Sequence, residues 1–290
     1  MRYKLGCSLS YNILSETVFI FNLEVAHLKS LEILSEALTL DPNLQRRTYI
    51  TPDLQNRYLG VIVPVGGFSL EYNAEVELTV HRADPATVPE TPVNALPLDI
   101  LPFLLPSRYV SSDRLTPFAV AEFGAMPKGH QRVTAICNWI HTHITYQPGT
   151  SDEQTTADES LLRRAGVCRD FAHLGIAFCR ALGIPARFVS AYAHGLVPCD
   201  FHAVFEAYLD GRWWLFDATR QANLDGLVRI GVGRDAAEIA FCTPFGLMDP
   251  GIVDITIEHA DGSPELPGRT IDAISTDDRI EIAEIEQDAA

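Results

Sequence analysis

The chain has 290 residues, of which 47% are apolar and 21% charged, a composition with room for two ordinary domains and unlike that of a disordered chain. A formal net charge of −16 argues against nucleic acid and against an anionic membrane surface as partners. No apolar run approaches the roughly 20 residues needed to span a bilayer. The six cysteines, at 7, 137, 168, 179, 199 and 242, contain no CxxC pair, so neither a zinc framework nor a small disulfide-stapled fold is expected.

In the opening "MRYKLGCSLSYNI" only Leu5 and Gly6 separate Lys4 from Cys7. A secretory signal needs an apolar stretch of roughly 7 to 15 residues there, so Cys7 reads as ordinary and a cytoplasmic location with reduced thiols is expected. "ETVFIFNLEV", "RRTYITP" and "NRYLGVIVPVGGFSLEYNAEVELTV" are rich in β-branched and aromatic residues and punctuated by Pro and Gly, which predicts a β-rich N-terminal domain over residues 1–84. Within it, Leu28, Leu31, Leu34 and Leu38 fall at helical spacing, although "HLKSLEIL" also reads as a continuing strand. Six prolines between Pro85 and Pro106 predict a linker without regular structure, placed at 85–124.

Val133, Ile136, Trp139 or Ile140, and His143 or Ile144 then recur at three and four, predicting an amphipathic helix. "QPGTSDEQTTADESLLRRAG" is a polar loop running into a short helix that Gly166 is expected to close. Val167, Phe171, Leu174 and Phe178 share one face of a further helix, ended by "ALGIP". Cys168 therefore falls in a first helical turn, where unpaired N–H groups and the positive dipole end favour a thiolate. Cys179, deep in the same helix, reads as packed.

"DFHAVFEAYLDGRWWLFDAT" is two strands about Asp210–Gly211, the favoured pair for a type I′ turn. A two-residue loop sets Leu209 against Arg212 and residue 202 opposite residue 219, so His202 and Asp217 become diagonal neighbours on one face. A three-residue loop would put them on opposite faces. A cysteine, a histidine and a carboxylate supply a nucleophile, a base and an orienting group. Read singly, His202 is a residue at a strand start and Asp217 a cap at a strand end.

"GVCRDFAHLGIAFCRALGIPARFVSAY" resembles the cysteine-helix motif of the transglutaminase-like superfamily, and "HAVFEAYLDGRWWLFDAT" resembles its His and Asp strands. "YQPGT" and "GVGRDAAEIA" are similar to the bacterial transglutaminase-like cysteine peptidase branch, which usually carries a β-rich N-terminal domain. The resemblance implies an α+β fold with a papain-like core, the cysteine helix packed on an antiparallel sheet, in a catalytic domain at 125–260. It implies Cys168 as nucleophile, His202 as general base and Asp217 as the orienting carboxylate. The chain departs from many relatives at Val204, where they have Trp, and at Ala218, where they have Pro.

The implied chemistry is acyl transfer on a peptide or protein substrate, with hydrolysis if water resolves the thioester and transglutamination if an amine does. The bacterial motifs and the lack of a clustered acidic calcium loop favour hydrolysis. A non-catalytic scaffold on the same fold is the alternative. The backbone N–H of Cys168 is the first expected oxyanion donor, and the loop from Gln147 to Thr150 is the expected source of a second. No cofactor and no metal are expected, since His141 and His143 point to opposite sides of a helix. Asp170 reads as a helix cap, His173 as a structural or substrate contact, and Trp213 and Trp214 as core and rim. Gly231, Gly233 and Arg234 have no phosphate-loop context. The acidic end of the chain, residues 261–290, is expected to be a frayed tail with at most one short strand.

Overall fold

Alternation of apolar and polar residues shapes the first part of the chain. The computed structural model describes residues 1–261 and 270–277. It begins with β1 (Arg2–Ile13), β2 (Thr17–Phe21), β3 (Leu31–Asp41), β4 (Arg46–Ile50), β5 (Arg57–Val63), β6 (Gly66–Leu78) and β7 (His81–Ala83). Along most of β1 and β6 every second residue is buried, Leu9, Tyr72 and Val76 among them, as a sheet covered on one face requires. Leu31, Leu34 and Leu38 lie on β3, antiparallel to β6, and not on a helix. The register shifts between Ile33 and Ser35, and this bulge breaks the two-residue period and leaves Leu34 exposed. Ladder hydrogen bonds to β6 therefore override a spacing that fits a helix.

The proline-rich segment is more ordered than its sequence predicts. It forms 3-10 turns at Pro85–Thr87, Val93–Ala95 and Leu98–Leu104, because a fixed φ and a missing N–H suit so short a helix. Ile100 and Phe103 are buried, and Phe103 meets Trp213 edge-on with ring centroids 5.2 Å apart. The last third of the expected linker is a helix, α1 (Ser112–Phe123). Next come α2 (His130–His143), β8 (Thr145–Tyr146), α3 (Ala157–Arg163), β9 (Ala165–Gly166) and α4 (Cys168–Ala181).

After α4 the chain turns into β10 (Ala186–Ala193), β11 (Phe201–Leu209), β12 (Arg212–Phe216) and β13 (Leu227–Gly233), one antiparallel sheet in the order β12–β11–β10–β13. Asp210 and Gly211 have φ of 49° and 74°, as a type I′ turn demands, and Leu209 pairs with Arg212 in the predicted register. Helix α4 packs on β10 and β11 through Phe171, Leu174, Phe178 and Phe205. Gly175 makes the close approach possible, since a Cβ there would stand 2.3 Å from Cε1 of Phe205. At the far end of α4, the buried guanidinium of Arg180 donates to the carbonyls of Leu105 (2.8 Å), Ala186 (2.9 Å) and Arg234 (2.6 Å), fastening the proline-rich strap to the core.

The chain then returns to its beginning. β14 (Cys242–Phe245) and β15 (Ile252–His259) complete the two N-terminal sheets, ordered β14–β2–β5–β4 and β15–β1–β6–β3. Thus part of the segment 125–260 belongs by pairing to the N-terminal sandwich. The outer edge of β13 is covered by that sandwich: Asn56 exchanges hydrogen bonds of 2.7 and 2.8 Å with the backbone of Val232, and Tyr192 donates to the carbonyl of Leu23 at 2.9 Å. β16 (Ala273–Ser275) pairs with β7 and is buried, so the described part of 261–290 holds one short strand. Residues 278–290 of the expected tail lie outside the described residues. Just past β16, Asp277 is bound by Arg187 and Arg229, which also grip the fully buried Glu206.

Candidate active site

Helix α4 begins at Cys168, with Val167 as its extended N-cap residue. Val167 has no polar side chain, so Asp170 caps from inside: its Oδ2 accepts the Val167 N–H at 2.8 Å and the Ser151 hydroxyl at 2.6 Å. The expected capping role of Asp170 is thus seen, and the same carboxylate ties the preceding loop to the helix. Gly166 does not close α3, which ends at Arg164 in the left-handed region with φ of 54°. Gly166 instead lies in β9, where a Cβ would come within 2.6 Å of the Asp170 Cβ. The glycine is needed for that close packing and not for a helix end.

His202 begins β11 after Phe201, and Asp217 follows the last residue of β12. Their side chains are 1% and 3% exposed, and His202 Nε2 donates to Asp217 Oδ2 at 3.0 Å. The diagonal relation predicted from the two-residue turn is the one observed. Asp217 is itself oriented: Oδ1 accepts the backbone N–H and the hydroxyl of Thr219 at 2.8 and 2.7 Å, and Oδ2 also accepts the Ala222 N–H at 3.3 Å. Cys168 acts on the same ring. Burial disfavours the charged ring, but the hydrogen bond to Asp217 and the charges of Asp217 and Cys168 outweigh it and lift His202 from 6.5 to about 10. Burial likewise opposes ionisation of Asp217, yet His202 and Thr219 hold its carboxyl below the usual carboxylate range.

Tyr146, which lay unremarked within "YQPGT", also lies near the thiol. It pairs with Gly166, two residues before Cys168, in the short parallel ladder of β8 and β9, and burial, and next the charge of Cys168, raise its phenol to about 12. Only a contact between residues 146 and 166 could have flagged it, and a single sequence does not show one. Thr219 was more legible, because Asp-x-Thr favours a local turn in which the carboxylate takes the following N–H.

Other candidates fall away from the thiol. His173 is fully buried, stacks on Tyr109 and accepts the Ala236 N–H at 3.2 Å, so it is structural; burial pushes its ring down to about 3. His143 is exposed and donates to the Trp139 carbonyl at 2.8 Å. Among the described residues no group of three His, Cys, Asp or Glu side chains gathers as a metal site. Trp213 and Trp214 are both core. A cavity of about 550 Å³ reaches Asp217 from the side of His130, Asn138 and Phe216, and neither Cys168 nor His202 lines it. No helix among the described residues is long and apolar enough to cross a membrane.

Two family descriptions match the chain. Residues 118–218 match the transglutaminase-like superfamily core, and residues 1–99 match the bacterial transglutaminase N-terminal domain. The chain is similar, at 39% identity and a TM-score of 0.87, to a crystal structure from Cytophaga hutchinsonii described as a "putative cysteine protease", with 95% of this chain and 97% of that one covered. It is also 34% identical over 117 residues to an uncharacterized protein of Mycobacterium leprae, covering 37% of this chain and 42% of that protein. An uncharacterized protein of Mycobacterium tuberculosis is 34% identical over 176 residues, with 55% of this chain and 54% of that protein covered. The chain thus spans about half the length of the curated relatives it matches.

Proposed function

This chain belongs to the transglutaminase-like superfamily, and on that footing we propose that it is a thiol-dependent acyl-transfer enzyme that hydrolyses a peptide or carboxamide bond. The reading is carried by His202, buried with Nε2 on Asp217 while its ring responds to Cys168 at a helix start. Cys168 Sγ forms a bond to the carbonyl carbon, its proton resides on His202, and the carbonyl electrons move to oxygen. Collapse of that intermediate breaks the C–N bond, and the imidazolium gives its proton to the leaving amine. Water then attacks the thioester, with His202 taking its proton and returning it to sulfur as the C–S bond breaks. Asp217 keeps the ring in one tautomer throughout, because an ionised carboxylate only accepts.

The 39% identical relative described as a "putative cysteine protease" supports hydrolysis over amine transfer. The substrate we propose is a peptide or protein. The test is to treat wild type and Cys168→Ala with an activated ester and with a peptide mixture, and to look for an acyl adduct on Cys168 by mass spectrometry. The adduct should decay to free acid even when a primary amine is present. Decay chiefly to the amide would assign transglutaminase-type transfer instead, and absence of any adduct would leave a binding protein on this fold.

A further inference from the structure

The cavity of about 550 Å³ beside Asp217 serves no step of the chemistry at Cys168, and its size is that of a small-molecule site. One wall is a face of α2, where His130, Thr134 and Asn138 follow one another at intervals of four residues. Another wall is the end of β12 and the turn after it, with Phe216, Asp217, Arg220 and Ala222. His130 is 6% exposed, its ring packs on Phe216 with centroids 4.5 Å apart, and its Nε2 is buried with no hydrogen-bond partner among the described residues. A buried polar atom left unpaired costs stability until something answers it. Two helical turns further, about 12 Å along α2, Arg220 donates to Oδ1 of Asn138. Its backbone is left-handed, with φ of 58°, so the turn after Asp217 sets its direction. The two carboxylates of the lining are already answered, Asp217 by four donors and Asp272 by Arg82 at 3.4 Å.

We propose that this cavity binds a small apolar carboxylic acid with a carbonyl at its far end, the carboxylate meeting Arg220 and the carbonyl accepting from Nε2 of His130. The site stands apart from the acyl-transfer reading, since neither Cys168 nor His202 lines the cavity. Burial pushes His130 down to about 4, so at neutral pH its ring is uncharged and carries one N–H. The Thr134 hydroxyl lies 3.2 Å from Nδ1. With that hydroxyl donating to Nδ1, the ring proton is on Nε2, a donor for which the protein supplies no acceptor. A ligand carbonyl supplies it. At the other end a guanidinium matches a carboxylate by two parallel hydrogen bonds. Between the two ends, Ala135, Phe216, Ala222 and Leu224 offer apolar contact, which suits a hydrocarbon body and disfavours a sugar or any ligand polar throughout.

The test uses the full chain and three probes: 3-(4-acetylphenyl)propanoate, its 4-ethyl analogue, which lacks the carbonyl, and its propanamide, which lacks the charge. Calorimetry gives each Kd for wild type, His130→Phe and Arg220→Gln, and NMR shifts of backbone amides locate the bound probe. His130→Phe keeps a packed ring and removes an unpaired nitrogen, so it should fold. We expect wild type to bind the keto acid about tenfold more tightly than either analogue, as one hydrogen bond or charged pair allows, with shifts at Thr134, Ala135 and Ala222. His130→Phe should erase the preference for the ketone and keep that for the acid, and Arg220→Gln should do the reverse. Ala135→Phe, which fills the cavity from α2 and removes neither group, should abolish binding. No saturable binding of the keto acid by wild type would overturn the proposal, as would equal binding of all three probes. Shifts centred on Cys168 would overturn it by placing the acid in the active site. Preferences that survive both substitutions, or undiminished binding by Ala135→Phe, would do the same.

Discussion

Replacing Asp217 by Asn isolates the electrostatic part of the site. Asp217 receives four donors, two on each oxygen: His202 and Ala222 on Oδ2, and the N–H and hydroxyl of Thr219 on Oδ1. An amide has a single acceptor oxygen, so in Asp217→Asn the NH₂ faces donors on one side or the other. His202 also loses its counter-charge. Its folded pKa of about 10 against an ordinary 6.5 means that it stabilises the fold fully below 6.5 and ceases to as pH rises through 10. Three units between pH 7 and the folded value of about 10 correspond to about 4 kcal/mol at pH 7. That is a ceiling for Asp217, because Cys168 shares in the shift, and it agrees with ~3–5 kcal/mol for breaking a buried pair. Asp217 is held below its ordinary range, so its own contribution is present above that range and is lost on acidification. Urea unfolding of wild type and Asp217→Asn across neutral to alkaline pH reads the difference directly. The gap should be largest near neutrality and shrink as pH climbs through about 10, where the wild-type imidazolium discharges. A gap that stays constant over that range would refute an ion pair as its source.

Cys168 should be the first thiol labelled by iodoacetamide at pH 7, and His202→Ala should abolish its lead. Burial pushes Cys7 and Cys242 up to about 11, and Cys137, Cys179 and Cys199 are also raised chiefly by burial. Mass spectrometry decides, and exposed Cys199 labelling first would contradict the prediction. Acyl transfer should fail above about pH 10 as His202 loses the proton owed to the leaving amine, visible as a falling limb in an amide-cleavage rate profile. Gly175→Ala should cost about 1–3 kcal/mol or more by overpacking against Phe205, read as a lowered thermal midpoint. Glu206→Gln breaks the buried pairs with Arg187 and Arg229 and should cost about 3–5 kcal/mol; unchanged urea stability would show those pairs to be dispensable.

Much of the site was legible because it is written in short-range rules. An Asp-Gly turn fixes a register, and that register alone puts His202 diagonal to Asp217. A helix stripe starting at Val167 places Cys168 in the first turn. Where several readings compete over longer distances, sequence gives less. Leu31, Leu34 and Leu38 satisfy a helical period, and only pairing with β6 and a bulge at Leu34 make them strand. Dense prolines exclude long helices but not the 3-10 turns that bury Ile100 and Phe103. Gly166 looks like a helix stop and is instead the space Asp170 occupies.

The same distinction separates Tyr146 from His202. His202 and Asp217 come together through one hairpin, a local event. Tyr146 comes near Cys168 because β8 runs parallel to β9 across an intervening loop and α3, with the loop fastened to α4 by Ser151 on Asp170 and by Arg169 on the Asp152 carbonyl at 2.5 Å. Two residues of parallel pairing are too short to announce themselves as strands, yet they hold Tyr146 against Gly166, two residues before Cys168. The three approaches converge on the same few residues: Gly175 lets α4 settle on β11, Gly166 lets Asp170 cap the helix, and Gly166 again carries the pairing that holds Tyr146. Substitution at Gly166 should therefore disturb both the cap of α4 and the tyrosine at once, whereas substitution at Gly175 should disturb the seating of the helix and leave the Tyr146 ladder intact. Hydrogen exchange of the Thr145 and Gln147 amides, which donate across the ladder to Arg164 and Gly166, separates the roles: faster exchange in Gly166→Ala alone fits this division, and equal exchange in both alanine variants would break it.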